Sequence, residues 1–322
     1  AAGTFCNYLA RIRGLAADEF TIRELGNGKS FLNALLKIGY GATSTSSTSD
    51  KFQGVRSLMM NSGHSSQTLK LVLQNEKDSQ VSNEILAWDV VNPWARIIEF
   101  FSEQPRVSRR LENIQKVSIE IGVPLNLNFN FNDRKLPFSY LLNDLFFMLQ
   151  PLIWGVAFSI IAFYGLKPFG GMKSPLISVA LFAICGLSIG ILITLVKRYV
   201  SLDNPNKVKV TDILKNIEVS DMRCIPVEVR GVVVGRGTAG WQFDPDFYLK
   251  DESGLIYIHH DRIKPFSNIV FALKTLNKYM DKTVVIKGWY RRFPTPFIEL
   301  QSIDDEILNP KKGRLLFWKS LA

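Results

Sequence analysis

Histidine and cysteine are scarce in this chain, three of each among 322 residues. Cys6, Cys185 and Cys224 lie far apart, and Cys185 falls inside a continuous apolar run, which excludes a disulfide framework and a four-cysteine zinc site. His64, His259 and His260 are too few for a self-contained multi-histidine metal site. The start lacks both a methionine and the pattern of a signal peptide, so the expectation is a piece of something longer. With 22 glycines and 14 prolines, collagen-like and low-complexity classes are excluded. A hydrophobic share of 47% excludes a wholly disordered chain. Lysine and arginine number 39 against 29 acidic residues, a net charge of +10. The excess is spread along the chain, without the dense basic block that dominates nucleic-acid binders.

Hydrophobicity, by contrast, is concentrated. No charge occurs from Leu145 to Leu166, where Gln150 is the only strongly polar residue, nor from Pro175 to Val196. About 20 apolar residues at 1.5 Å rise cross a hydrocarbon core roughly 30 Å thick. The turn-forming linker Lys167–Ser174 predicts an antiparallel hairpin with spans of about 145–166 and 175–196. Buried core helices are the other reading, but these rarely run so long without a polar face. Gly186, Ser188 and Gly190 either allow close helix contact or are ordinary lipid-facing positions. Arg134 and Lys135 precede the first span, Lys197 and Arg198 follow the second, and the flanking charge places the termini on the cytoplasmic side.

The hairpin divides the chain into a front part (1–143), a membrane part (144–206) and a back part (207–322). In the front part Phe31, Leu32, Leu35, Leu36 and Ile38 form a helical stripe after Ser30, a candidate N-cap, with Gly39 as a stop. Val107, Leu111, Ile114 and Ile121 predict a second helix after Pro105, with Arg109, Arg110 and Glu112 on its other faces. Residues 42–67 are rich in Ser, Thr and Gly and read as a surface loop holding His64. The back part changes period. Val227–Val234 alternates as a strand, Phe247–Lys250 and Leu255–Ile258 flank a turn composition at Asp251–Gly254, a helix is expected near Ile269–Tyr279, and strands follow at Thr283–Trp289 and Phe297–Leu300. This order resembles an OB-fold barrel, five strands closed around one core with a helix at one end. The glycine-rich stretch Gly231–Gly240 lacks the βαβ unit of a dinucleotide loop. Trp289, Tyr290, Arg291, Arg292 and Phe293, with Lys250, Arg262 and Lys264, are candidate nucleic-acid contacts, a solvated face being the blander alternative. His259 and His260 read as structural before they read as metal ligands.

Two stretches of the front part carry a family resemblance. Arg11-Ile-Arg-Gly-Leu-Ala-Ala-Asp-Glu-Phe20 precedes Gly26-Asn-Gly and Leu32–Ile38; Trp88-Asp-Val-Val-Asn-Pro-Trp94 precedes Phe101-Ser-Glu-Gln-Pro105 and Arg109-Arg-Leu111. In this order, covering most of residues 8–122, they resemble the rear part of the peptidase domain of HtpX-like membrane zinc metalloproteases. The resemblance implies zinc as cofactor, peptide-bond hydrolysis in membrane-protein quality control, protein substrates or partners, and a prokaryotic cell membrane with cytoplasmic soluble parts. A zincin needs His-Glu-x-x-His on one helix, and no His-Glu pair occurs in this chain. The family's third ligand, the Glu of E-x-x-A-D, corresponds to Gly14, which has no donor atom. Glu19 lies five positions on, rotated roughly 140° around the helix. Asp18 shares the face of Gly14 and matches the family's Asp, which makes it the one candidate catalytic residue; its alternative is a salt bridge, for instance to Arg11 or Arg13. Gln104 stands where the family often has His. Trp88, Pro93 and Trp94 read as packing residues.

The expected architecture is therefore a multidomain membrane protein: an α-helical protease-like part, a two-helix transmembrane hairpin and a C-terminal all-β OB-like barrel with one helix. Its function reads as a fragment or degenerate copy of a membrane-bound zinc metalloendopeptidase, with zinc unsupported by ligands in this chain, so whether it is an enzyme stays open. The alternatives are a non-catalytic pseudoprotease scaffold and a membrane-anchored OB binding module. Lipid and protein are the expected partners; nucleic acid is not.

Overall fold

A computed structural model describes residues 2–32, 84, 87–123, 125, 136–165, 175–202, 204–237, 243–260, 267–293, 295–304 and 306–307. The expected helix end at Gly39, the 42–67 loop with His64, the 167–174 linker, Arg262 and Lys264 lie outside them.

Three helices build most of the described front part: α1 (Ala2–Leu25), α2 (Pro93–Phe101) and α3 (Val107–Glu120). Gly26, at φ +62°, ends α1 as a left-handed C-terminal residue, its N–H bonding to Ile22 O at 2.9 Å. The helical turn at 28–32 is capped by Asn27, whose Oδ1 accepts from Lys29 N at 2.9 Å and Ser30 N at 3.2 Å. The cap thus sits three residues before the expected Ser30, because an Asn side chain just outside the helix reaches its orphan N–H groups directly. Helix α2 begins on the same logic: Asn92 Oδ1 accepts from Trp94 N at 2.9 Å, and Pro93 occupies a first-turn position where no N–H is needed. Leu111, Ile114 and Val117 of α3 are buried together with Ile22 of α1. Arg110, expected on an outer face of α3, is instead buried.

The two apolar stretches are helices α4 (Ser139–Gly165) and α5 (Pro175–Arg198). Among the described residues these two are long and apolar enough to cross a membrane, and little of either is covered by the rest of the chain. They pack closely on each other, and the glycines decide how closely. A Cβ at Gly186 would lie 2.2 Å from Trp154 O, and one at Gly190 would lie 2.4 Å from Pro151 Cα. Backbone therefore rests on backbone at both positions. Ser188, two residues away from each, points elsewhere and donates to Ile184 O at 2.8 Å. Pro151 lies inside α4 and has no N–H for the carbonyl of Phe147. That carbonyl is served across the hairpin by Thr194 Oγ1 at 2.8 Å. A hydroxyl on the facing helix thus supplies the donor that the proline removes.

The back part is a closed five-stranded barrel. Strands β2 (Ile225–Arg236), β3 (Phe247–Lys250) and β4 (Leu255–His259) form an antiparallel meander. Strand β4 pairs in parallel with β6 (Pro296–Ile303), β6 pairs antiparallel with β5 (Thr283–Arg292), and β5 returns to β2 from Ile225↔Tyr290 to Val232↔Thr283, closing the ring. Short strands β1 (Asn206–Lys207) and β7 (Glu306–Ile307) add to its edges. Alternation puts Phe247, Leu249, Ile256, Ile258, Ile286 and Leu300 inside. Between β4 and β5 run α7 (Ser267–Val270), a π-helical turn (Phe271–Leu276) and α8 (Asn277–Tyr279), whose Phe271 and Leu276 complete the core. A short helix α6 (Val210–Leu214) leads into the barrel, its Val210 N bonding to Asp251 at 2.8 Å. The buried apolar residues of α1 and α3 join those of the barrel in one continuous cluster.

Candidate functional site

Helix α1 turns an unusual face inward. Its buried positions include Arg11, Asp18 and Ile22, at helical spacing, with Gly14 between them. Asp18 is gripped by Arg110 of α3 through two bonds, Oδ2 to Nε at 2.7 Å and Oδ1 to Nη2 at 2.6 Å. Such a bidentate, charge-assisted pair is among the stronger polar contacts a protein makes. The partner is neither Arg11 nor Arg13. Arg11 Nη1 instead donates to the carbonyls of Glu99, Phe100 (3.2 Å) and Ser102 (2.6 Å), at the end of α2. A cation there meets the negative end of the helix dipole. A Cβ placed on Gly14 would meet Pro105 Cδ at 3.6 Å, ordinary contact distance.

The position that the resemblance gives to a third metal ligand thus faces a proline ring, and both oxygens of its neighbour Asp18 are engaged. Zinc does not fit these groups. Gly14 offers no donor, and among the described residues no three His, Cys, Asp or Glu side chains converge. Gln104 lies in the turn after α2, its N–H donating to Ser102 Oγ at 3.1 Å.

A second set of charges sits between α2 and the start of α3. Glu99 is bound by Arg106 at 2.7 Å and Arg109 at 3.2 Å. Burial pushes its carboxyl up, but the two guanidinium groups outweigh burial and hold it below the ordinary glutamate value of 4.5. Glu99 therefore contributes stability that is complete above about pH 4.5 and is lost as the pH falls through its lower folded-state value. Glu99→Gln is expected to flatten the stability–pH curve below that point, which denaturant titrations across the acid range would show; an unchanged acid slope would refute the assignment. Asp89 goes the other way: burial raises its carboxyl against the opposing pull of Arg292 and Arg106.

Both tryptophans of the front part are structural. Trp88 Nε1 donates to Val219 O at 2.8 Å, and the Arg292 guanidinium lies 4.5 Å from its ring centroid while reaching Asp89 at 3.2 Å. Trp94 Nε1 donates to Asp144 at 2.9 Å, at the base of α4. Asp144 also accepts from Ser220 at 2.7 Å and pairs with Arg223 at 2.9 Å. Front helices, hairpin and barrel meet in this one polar knot.

A third knot joins α5 to the barrel. Arg291 is fully buried; its Nε pairs with Glu299 at 2.9 Å and its Nη2 donates to Arg198 O, the last residue of α5, at 2.8 Å. Tyr199 donates to the other Glu299 oxygen at 2.8 Å, and burial followed by the Glu299 charge drives its hydroxyl well above the usual tyrosine range. Trp289 Nε1 donates to Val200 O at 2.8 Å. Trp289, Tyr290, Arg291 and Arg292, candidate nucleic-acid contacts or else residues divided between core and surface, are all buried. Trp289, Arg291 and Arg292 donate to carbonyls of this chain's own Val200, Arg198, Asp221 and Leu214.

The barrel's outer face over β3, β4 and β6 carries the remaining chemistry. Asp246 accepts from His260 N at 2.7 Å, from the Tyr257 hydroxyl, and lies 3.0 Å from His259 Nδ1. His260 stacks on Phe271, with ring centroids 3.8 Å apart. The two neighbouring histidines thus point to different partners, one at the surface and one inside. Sequence reasoning singled out the pair but missed Asp246, which lies 13 residues from His259 and is brought to it by the β3–β4 pairing.

Comparison with protein-family models, with curated proteins and with solved structures returned no match.

Proposed function

We propose that the chain is a membrane-anchored member of the HtpX-like zinc metalloprotease group in which the described residues act as a non-catalytic scaffold for protein partners. The observation that carries this reading is the α1 face. Where the resemblance asks for a ligand and a catalytic carboxylate, the chain has Gly14 against Pro105 and Asp18 clamped by Arg110. That arrangement holds helices together and leaves no donor for a metal. The hairpin spans the bilayer of a prokaryotic cell, with Lys197 and Arg198 marking the cytoplasmic side. The knots at Asp144 and Arg291 hold the soluble parts against its base. The ring β2-β3-β4-β6-β5, with its parallel β4–β6 pair and a helical segment between β4 and β5, supports an OB-like reading of the barrel.

One observation favours the active alternative, a zinc metalloendopeptidase in membrane-protein quality control. The Gly14 position is open enough to take a side chain, with only Pro105 at contact distance. Two measurements decide. After alkaline carbonate extraction of membranes, the chain is expected in the pellet; a monodisperse chain in detergent-free buffer would overturn the anchored reading. Metal analysis of the detergent-purified protein is expected to find no stoichiometric zinc. A mole-equivalent would overturn the non-catalytic reading and favour the endopeptidase.

A further inference from the structure

Helix α1 is polar on its inner side, as Asn7, Arg11 and Asp18 show, and its outer side changes character along its length. Over residues 3–12 the exposed large side chains are Phe5, Tyr8, Leu9 and Ile12, and the only charged residue in that stretch, Arg11, is turned inward. From Arg13 onward charge returns, with Arg23 and Glu24 exposed, while Phe20 and Leu25 continue the exposed apolar positions. The charge, not the apolar side chains, thus changes along the helix, and its nearly uncharged end is the one suited to a lipid phase.

The apolar end of α1 is also held close to the hairpin. Asn7 Nδ2 donates to Phe101 O at 2.8 Å, which fixes it to the end of α2, and α2 packs through Ile97 and Ile98 on Leu141 and Leu145 at the base of α4. Phe100 and Phe101 at that end of α2 are more than half exposed, and so are Leu142 and Phe146 on α4. The Arg11 guanidinium lies 5.9 Å from the Tyr8 ring centroid, and Lys197 lies 5.0 Å from that of Phe147. Aromatic rings edged by cations belong to the side-chain mixture of a bilayer interface.

We infer that residues 3–12 of α1, with Phe100 and Phe101, enter the same lipid leaflet as the base of the hairpin, forming a second point of membrane contact. This rests on the hairpin spanning the bilayer, and the two claims can be tested apart. Cys6 is exposed on this segment. The full chain, carrying Cys185→Ser, is spin-labelled at Cys6 and reconstituted into phosphatidylcholine–phosphatidylglycerol vesicles; matched samples carry Cys6→Ser with the label at Ile184→Cys or Glu24→Cys. Accessibility to oxygen, which concentrates in lipid, is compared with accessibility to an aqueous nickel chelate. The expected result is a severalfold higher oxygen-to-nickel ratio at position 6 than at position 24, approaching that at position 184. A nickel-accessible label at position 6 with a lipid-exposed label at 184 would overturn the inference and leave the hairpin standing. A label at 6 shielded from both reagents would place protein there and overturn it too. A water-exposed label at 184 would overturn both claims together.

Discussion

Gly190→Leu is expected to separate the two apolar helices. The incoming side chain would start 2.4 Å from Pro151 Cα and 2.5 Å from Gln150 O, so the obstacle is backbone, which has no rotamer to give. Overpacking a well-fitted interior costs about 1–3 kcal/mol where side chains can yield. Here the cost should reach about 3 kcal/mol or more, since relief requires moving a whole helix. Moving it would also withdraw Thr194 from the Phe147 carbonyl and leave that group without a donor in an apolar medium. Thermal unfolding in detergent micelles would show this as a large drop in midpoint and a loss of monodisperse protein. Gly165→Leu is the matched control, because a Cβ there meets only Ile161 Cγ2 at 3.9 Å. Equal behaviour of the two variants would mean that the helices do not pack through Gly190.

Arg291→Met is expected to be the costliest change in the barrel. It leaves Glu299 buried with its charge uncompensated and strips a donor from the end of α5. Removing one partner of a buried ion pair costs about 3–5 kcal/mol, whereas removing both is far milder. The double variant Arg291→Met, Glu299→Leu should therefore recover much of the loss, though not all, because Tyr199 loses its acceptor and the carbonyls of Arg198 and Asp221 lose their donor. Denaturant unfolding of the four species gives the coupling directly. A single variant within about 0.5 kcal/mol of the parent would show that the pair is not buried as described.

The periodic elements were readable from the chain because a period is a local property. The strand Phe247–Lys250 falls where alternation and the Asp251–Gly254 turn put it, and the described residues of the two apolar stretches lie within α4 and α5. Partner choice was not readable, because it depends on residues far along the chain. Asp18 was matched to arginines on its own helix, but its partner Arg110 is 92 positions away and comes within reach only when α3 packs on α1. The placement of the Trp289–Arg292 run stayed open for a related reason. Its composition of aromatics and arginines suits a binding surface and suits equally an internal joint, and only the arrival of α5 and of residues 88–89 on the barrel distinguishes them. The two glycines of α5 stood between two readings for want of the facing helix. Once Trp154 and Pro151 are in place, neither position has room for a methyl group.

The reach of Arg291 has a consequence for how the molecule is made. The carbonyl of Arg198 waits for a guanidinium 93 residues further on, in β5, and the acceptor that orients that guanidinium follows in β6. Synthesis proceeds from the amino end, so both helices of the hairpin emerge well before the strands that finish their lower edge. The clamp therefore closes last, and a ribosome stalled before β6 would leave the hairpin with its base still unfastened.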